Sequence, residues 1–300
     1  MSEKNIRERL SGVFPPMVTP FKNDEIMYDG IVTNIQKMNK TGLRGYFVLG
    51  TNGEYKSLTV PEREEILKIV VENVADDKVV MAGTGAESTK ETIELSVRAA
   101  KIGAEFVSLL MPHFFAKRMD DDILTSYIID VANESPVPVL IYNNPSVAAG
   151  VLVSEEVIRR VSDHPNVVGM KDSSRGNYKK YIDAAKDEFY VLAGSASFFY
   201  DLLTAGGIGG VLSLANVFPD VCVELYKKFI SGNLEEAKNI SDRLVALNKQ
   251  VSGTYGVAGV KAAMDIVGFV GGEPRRPLKP LTDEQKKNLE TIIKESDFSQ

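Results

Sequence analysis

Cysteine, histidine and long apolar runs are scarce in this 300-residue chain, and each scarcity removes a class of protein. The single cysteine, Cys222, permits no internal disulfide. In "PDVCVELYKKF" it falls on the apolar side of an expected helix, which favours core packing over catalysis. The only histidines, His113 and His164, stand on different segments and make no metal site by themselves. His164, in "SDHPN", reads as a surface turn residue. No apolar run approaches the roughly 20 residues needed to cross a bilayer. The charged start "MSEKNIRERL" lacks the apolar stretch of a signal peptide, so a cytoplasmic protein is expected. Acids outnumber bases 41 to 35, for a net charge of -6, and no long basic run breaks that balance. Neither a nucleic acid nor a membrane surface is therefore an expected partner.

Two nucleotide-binding signatures are missing as well. No G-x-G-x-x-G follows the first apolar run, and "GTGAESTK" (Gly83–Lys90) lacks the spacing of a phosphate loop. What the chain has is eight short apolar runs, each followed by Gly, Pro, Asn or Ser and then by an amphipathic stretch. They are "GVFPPMVTP" (Gly12–Pro20), "GYFVLG" (Gly45–Gly50), "VVMAG" (Val79–Gly83), "FVSLLMP" (Phe106–Pro112), "VPVLIYN" (Val137–Asn143), "VVGMK" (Val167–Lys171), "YVLAG" (Tyr190–Gly194) and "GGVLSL" (Gly209–Leu214). Near-continuous hydrophobicity suits strands of a parallel sheet covered on both faces.

The intervening segments carry helix signals. Thr59 and Glu62 stand in capping-box spacing ahead of Ile66, Ile69, Val70 and Val74. Ser88 and Glu91 do the same ahead of Ile93, Val97 and Ala100, and Gly103 ends that helix. Eight strands alternating with helices predict an α/β fold, a (β/α)8 TIM barrel, with an open doubly wound sheet as the alternative. After about Phe218 the strand signals stop. Leu234, Ala237, Ile240, Leu244, Leu247 and Val251 form one helical stripe, and Thr282 with Gln285 caps a second helix. The expected organisation is a barrel over 1–224 and a small C-terminal helical appendage over 225–300, whose two helices are joined by the proline-punctuated "GEPRRPLKPL". The glycines of "GGIGG" (Gly206–Gly210) are expected to serve a tight turn before the eighth strand.

Chemistry in such barrels gathers at the carboxyl ends of the strands. Those ends hold Thr19 and Pro20, "GTNGE" (Gly50–Glu54), "GTG" (Gly83–Gly85), "MPHFF" (Met111–Phe115), "YNNP" (Tyr142–Pro145), "KDSS" (Lys171–Ser174), "GSAS" (Gly194–Ser197) and "SLAN" (Ser213–Asn216). There is one lysine and one tyrosine among hydroxyls and glycines. No pair of carboxylates is poised for glycoside chemistry, and the histidines and acids of a metal site are lacking. No cofactor is expected. Lys171 is either an end-cap that snorkels from a buried strand or a nucleophile. Partial burial disfavours the ammonium and can bring a lysine pKa toward roughly 7–8, which frees the amine to attack a ketone. The phenol of Tyr142, one strand along, is a candidate proton carrier. The loop Thr51–Asn52–Gly53 can offer backbone N–H groups to a carboxylate. Together these suit a 2-oxo acid held as a Schiff base.

Over nearly its whole length the sequence resembles the pyruvate-dependent class I aldolases and lyases of the dihydrodipicolinate synthase and N-acetylneuraminate lyase superfamily. The resemblance runs through "GVFPPMVTPF", "GTNGEYKSLT", "YNNP", "NVVGMKDSS", "VLAGSAS", "GGVLSLANV" and "GVAGVKAAMDIVGFVGGEPRRPL". It implies a homotetrameric barrel with Lys171 as the imine-forming residue and Tyr142 as the phenol that moves protons. It also implies that Thr51 and Asn52 hold the carboxylate of the 2-oxo acid, that the Thr51 hydroxyl joins the relay, and that Gly194 offers its carbonyl at the pocket wall. "GTNGE", "HPNVVGMKDS" and "VLAGSASF" look most like the 4-hydroxy-2-oxoglutarate aldolase branch, in which Ser173 also lines the pocket.

Two departures narrow the reading. Dihydrodipicolinate synthases carry an arginine two residues after the proline of this motif, and here Val147 stands there, unable to make its bidentate bonds. Phe114 stands where the family often supplies a tyrosine from a neighbouring subunit, and it cannot shuttle a proton. The expected activity is cleavage of a 4-hydroxy-2-oxo acid to pyruvate and an aldehyde. Arg175 and Ser173 are candidates for a distal carboxylate. The rivals are a dehydratase of 2-keto-3-deoxy acids, a dihydrodipicolinate synthase, a non-catalytic 2-oxo acid binder and a metal-dependent barrel enzyme.

Overall fold

In the computed structural model, which describes residues 3–174, 176–296 and 298, the eight apolar runs become eight parallel strands. They are β1 (Gly12–Phe14), β2 (Gly45–Val48), β3 (Val79–Gly83), β4 (Phe106–Leu110), β5 (Val139–Asn143), β6 (Val167–Asp172), β7 (Tyr190–Ala193) and β8 (Gly209–Val211). Ladders join β2 to β8 in order, and β8 pairs with β1. The ring closes between β1 and β2. Arg44 donates its backbone N–H to Val13 at 2.9 Å, Phe47 donates to Pro15 at 3.0 Å, and Met17 donates back to Phe47 at 2.9 Å. Closure explains how Pro15 and Pro16 are tolerated: the Pro15 carbonyl serves the ladder although its nitrogen cannot, and the Pro16 carbonyl accepts the Asn216 side-chain amide at 2.9 Å. The barrel predicted from the sequence is thus formed, although β1 is shorter than its apolar run.

Two packed layers result. Phe14, Phe47, Val79, Met81, Phe106, Leu140, Val168, Leu192 and Val211 fill the barrel interior, and Leu10, at the end of the helix Glu3–Leu10, joins them from below. The larger cluster, with Ile31, Ile66, Val70, Ile128, Val157 and Leu202, lies between sheet and helices. Both capping boxes form, Thr59 with Glu62 and Thr282 with Gln285. Ser88 accepts from the Glu91 N–H, and Gly103 at φ 125° ends its helix.

Three expectations need correction. The buried stripe of Thr89–Ile102 is Thr92, Ser96 and Ala99, and Ile93, Val97 and Ala100 are only half-buried. Polar residues can face inward here because their hydroxyls are satisfied: Thr92 by Tyr127 at 2.9 Å, Ser96 by Thr84 at 2.9 Å. Leu234 is exposed, although the rest of its stripe is buried or half-buried. Of the glycines in "GGIGG", Gly206 takes the turn conformation at φ 106°, but Gly209 is needed for close approach, since a Cβ there would lie 2.4 Å from the Gly12 carbonyl.

A hairpin that the sequence did not announce, Phe21–Lys22 with Glu25–Ile26, folds over the mouth side of β1. The helix Pro219–Ile230 runs through position 225 and buries Cys222, whose thiol burial pushes up to about 12. Beyond it come the helix Leu234–Asn248, a π-helical turn at Lys249–Gly253, the helix Thr254–Ile266, kinked at Gly256, and the helix Asp283–Glu295. No helix among the described residues is long and apolar enough to cross a membrane.

Candidate active site

A β-bulge aims the lysine. Val139 pairs with Val167, but the next residue, Leu140, pairs with Gly169, so Val168 is an extra residue in β6. Side chains alternate along a strand, and one inserted residue reverses which of them face inward. Without it Lys171 would stand opposite Asn143 and point at the helices. With it Lys171 stands opposite Tyr142 and points into the barrel. The bulge needs Gly169, because a Cβ there would lie 2.1 Å from the Tyr190 carbonyl of β7. The neighbours take the opposite side: Asn143 donates its amide to Asp172 Oδ1 at 2.9 Å and to Tyr181 Oη at 3.0 Å, outside the barrel wall.

Lys171 is 4% exposed, and its amine lies 4.0 Å from the centre of the Tyr142 ring and 4.6 Å from that of Phe47 on β2, across the barrel. Burial drives the lysine pKa down from its ordinary value, and the Tyr142 phenol opposes this only in part. Burial alone would raise the Tyr142 pKa. The Lys171 charge, then hydrogen bonds from Thr51 and Asn144, outweigh it and leave the phenol more acidic than usual. Thr51 Oγ1 is 3.1 Å from Tyr142 Oη. The three residues singled out for chemistry are therefore in one cluster.

Asn52, Ser173 and Gly194 stand at the same carboxyl ends of the strands. Asn52 uses its side-chain amide on Ser213 Oγ, at 2.9 Å, at the end of β8. Ser173 and Gly194 are in contact, for a Cβ on Gly194 would meet Ser173 Oγ at 1.9 Å. Gly53, expected to offer its N–H to a ligand, instead donates it to the Gly50 carbonyl at 3.1 Å, because the loop closes a tight turn there. The N–H groups of Thr51 and Asn52 have no acceptor among the described residues. Arg175 lies outside the described residues. Val147 is 37% exposed in the turn after β5, and Phe114 is 77% exposed, packed edge-on against Phe115. His113 is tied down by Glu87, which accepts the backbone N–H groups of His113 and Phe114, both at 2.8 Å. Among the described residues no three His, Cys, Asp or Glu side chains cluster as metal ligands would.

Sequence reasoning passed over several residues. Asn144 donates its amide to Tyr142 Oη at 2.9 Å, and its place two residues along an extended chain was the available signal. Glu54 and Lys261, far apart in sequence, form a buried ion pair beneath the Thr51–Gly53 loop. Nothing in the sequence links them. Lys261 also donates to the carbonyls of Thr19 at 2.7 Å and Glu273 at 2.8 Å. Thr19 in turn donates its hydroxyl to the Gly53 carbonyl at 2.8 Å.

Comparison with known proteins identifies the family. The model of the dihydrodipicolinate synthetase family matches residues 9–296. The chain belongs to that family. It is 33% identical to the 4-hydroxy-tetrahydrodipicolinate synthase of Methanothrix thermoacetophila, covering 94% of this chain and 95% of the relative. It is 32% identical to the probable mitochondrial 4-hydroxy-2-oxoglutarate aldolase of Emericella nidulans, covering 97% and 96%. Among solved structures it is similar to YagE, an E. coli K12 prophage protein of the dihydrodipicolinic acid synthase family crystallised with pyruvate. That match has a TM-score of 0.89 and 27% identity over 96% of this chain and 99% of the other. A family of class I aldolases and lyases makes this protein an enzyme of that kind.

Proposed function

We propose that the protein is a Schiff-base lyase that cleaves a 4-hydroxy-2-oxo acid to pyruvate and an aldehyde. One observation carries this reading: a buried lysine amine with a lowered pKa and, among the described residues, no carboxylate beside it, set against a phenol that is itself bonded to a threonine. The neutral amine of Lys171 adds to the C2 ketone and water is expelled, with the Tyr142 phenol giving the proton that leaves a protonated imine beside a phenolate. Tyr142, as phenolate, takes the proton of the C4 hydroxyl. The C3–C4 bond then breaks, its electron pair moves into the imine, and the aldehyde departs. Protonation of the enamine at C3 and hydrolysis release pyruvate and restore the amine. The free N–H groups of Thr51 and Asn52 suit the C1 carboxylate, while Ser173 and Gly194 line the opposite wall.

Several synthase relatives favour dihydrodipicolinate synthesis as a second reading. Val147 opposes it, because a half-exposed valine offers a second carboxylate no charge-assisted bond. A dehydratase would use the same imine but expel water from the substrate. The cytoplasm suits a chain whose one thiol is buried and unpaired. We also place the chain in a homotetramer, as family resemblance implies; sedimentation at working concentration checks this.

Borohydride reduction in the presence of pyruvate, followed by mass spectrometry, tests the chemistry. The expected result is a pyruvate adduct on the peptide containing Lys171. An adduct elsewhere, or none, overturns the reading. Product analysis with a panel of hydroxy-oxo acids then separates aldolase (pyruvate plus aldehyde) from dehydratase (a dehydrated oxo acid).

A further inference from the structure

The oxygen of Tyr142 has three hydrogen-bonding neighbours. Asn144 Nδ2 donates to it at 2.9 Å, Thr51 Oγ1 is at 3.1 Å, and the Lys171 amine borders it from β6. A carboxamide nitrogen can only donate. Ser146 holds the amide in that sense by donating its hydroxyl to Asn144 Oδ1 at 2.5 Å. The phenol form must spend its own proton on one of these neighbours and accept from the rest. The phenolate form accepts from all three at once, so each donor contributes to stabilising it.

We propose that Asn144 is a positioning residue for the proton transfer, a fixed donor that holds the Tyr142 oxygen in its accepting state between Thr51 and Lys171. This rests on the aldolase reading given above. The position matters in this chain because Phe114 brings no hydroxyl to any relay. Asn144 supplies what a hydroxyl would on one side only: it stabilises the anion but carries no proton onward. The relay is thereby confined to Tyr142 and Thr51. Among the described residues, the titratable groups facing Tyr142 are Lys171 from β6 and Tyr55 from the turn Tyr55–Ser57, whose own pKa is raised by burial and then by the Tyr142 charge. The Lys171 charge lowers the Tyr142 pKa in any variant at position 144, so a change there isolates the amide.

The test follows pyruvate methyl protons exchanging into D2O by NMR, in the full chain, as a function of pH, so that no aldehyde partner need be known. Asn144→Ala removes the donor, and Asn144→Asp replaces it with an acceptor of nearly the same shape. If the amide favours phenolate, its loss raises the phenol pKa, and the rising limb of the exchange profile moves to higher pH. We expect a move of about one pH unit in Asn144→Ala, with about a ten-fold slower exchange near neutrality, the worth of one hydrogen bond to a charged group. Asn144→Asp should move the limb further, and the concentration of pyruvate giving half-maximal exchange should change little in either variant. A merely structural residue would leave the limb in place, and an unmoved limb, or a smaller shift in Asp than in Ala, overturns the inference. The borohydride adduct at Lys171 distinguishes the failures. With the adduct present in both variants and the limb unmoved, only the role of Asn144 falls. With no adduct and no exchange in the unaltered protein, the aldolase reading falls and takes this inference with it.

Discussion

Two lysines, Lys171 and Lys261, are almost equally buried and have different consequences. Both lie over aromatic rings, Lys171 over Tyr142 and Phe47, Lys261 at 4.6 Å from the centre of Phe21. Burial lowers the pKa of each. Lys261, however, meets the carboxylate of Glu54 and two backbone carbonyls, so its charge is compensated and every N–H is used. Lys171 meets a phenol and, among the described residues, no carboxylate. Burial without a counter-charge makes an amine available, and burial with one makes a clamp. Position at the barrel mouth does not by itself decide between the two.

The sharpest break of this comparison comes from removing each amine. Lys171→Met should cut turnover on the order of 10⁴-fold or more, since the covalent step has no substitute. The fold should tolerate it, because methionine suits an apolar wall and no carboxylate is left stranded. Steady-state kinetics beside a circular dichroism melt reads both effects, and full turnover in this variant would remove Lys171 from the chemistry. Tyr142→Phe keeps the ring under the lysine but removes the proton carrier, and should lower kcat by about 10²–10⁴-fold while the Lys171 adduct still forms.

Lys261→Met should do the reverse. It leaves Glu54 buried without its cation, a loss of about 3–5 kcal/mol of stability. Thermal melts should show it, together with a raised KM, because Glu54 underlies the Thr51–Gly53 loop. The double variant Glu54→Gln/Lys261→Met strands no charge and should recover part of the stability. If the single variant melted like the unaltered protein, the pair would not be the clamp its geometry describes.

Much of the first lysine's setting was legible in the sequence, and almost none of the second's. The run "VVGMK" ends a strand, the barrel places that end at the mouth, and the family motifs fix the register of Tyr142 against it. The bulge was not legible, because nothing in "NVVGMKDSS" marks Val168 as the extra residue. The pairing register of β5 with β6 reveals it, and the Tyr190 carbonyl pressed against Gly169 shows why glycine stands there. The stripe of Thr89–Ile102 was misread because side-chain hydroxyls hide their buried partners from a hydropathy pattern. Lys261 was invisible for a third reason. A charge in an apolar helix reads as surface until a carboxylate 207 residues away is shown to meet it.

The smallest expected effect lies at the edge of the same clamp. Arg275 gives its backbone N–H to Glu54 at 2.9 Å, while its guanidinium is bound by Glu62 and by the Ser57 and Asp24 carbonyls. The Arg275 guanidinium, aided by Thr59, holds the Glu62 carboxyl down at about 2 against the opposing effect of partial burial. A carboxyl more acidic in the folded than in the unfolded chain stabilises the fold above its unfolded pKa, near 4.5, and that contribution fades as pH falls toward 2. Glu62→Gln should therefore melt slightly below the unaltered protein at pH 7, and the difference should shrink between about pH 5 and pH 2. The Lys171 adduct should form normally throughout the range where the fold persists. A gap between the two melting curves that stayed constant with pH would mean that Glu62 contributes as a helix cap and not as the anion that holds Arg275 over Glu54.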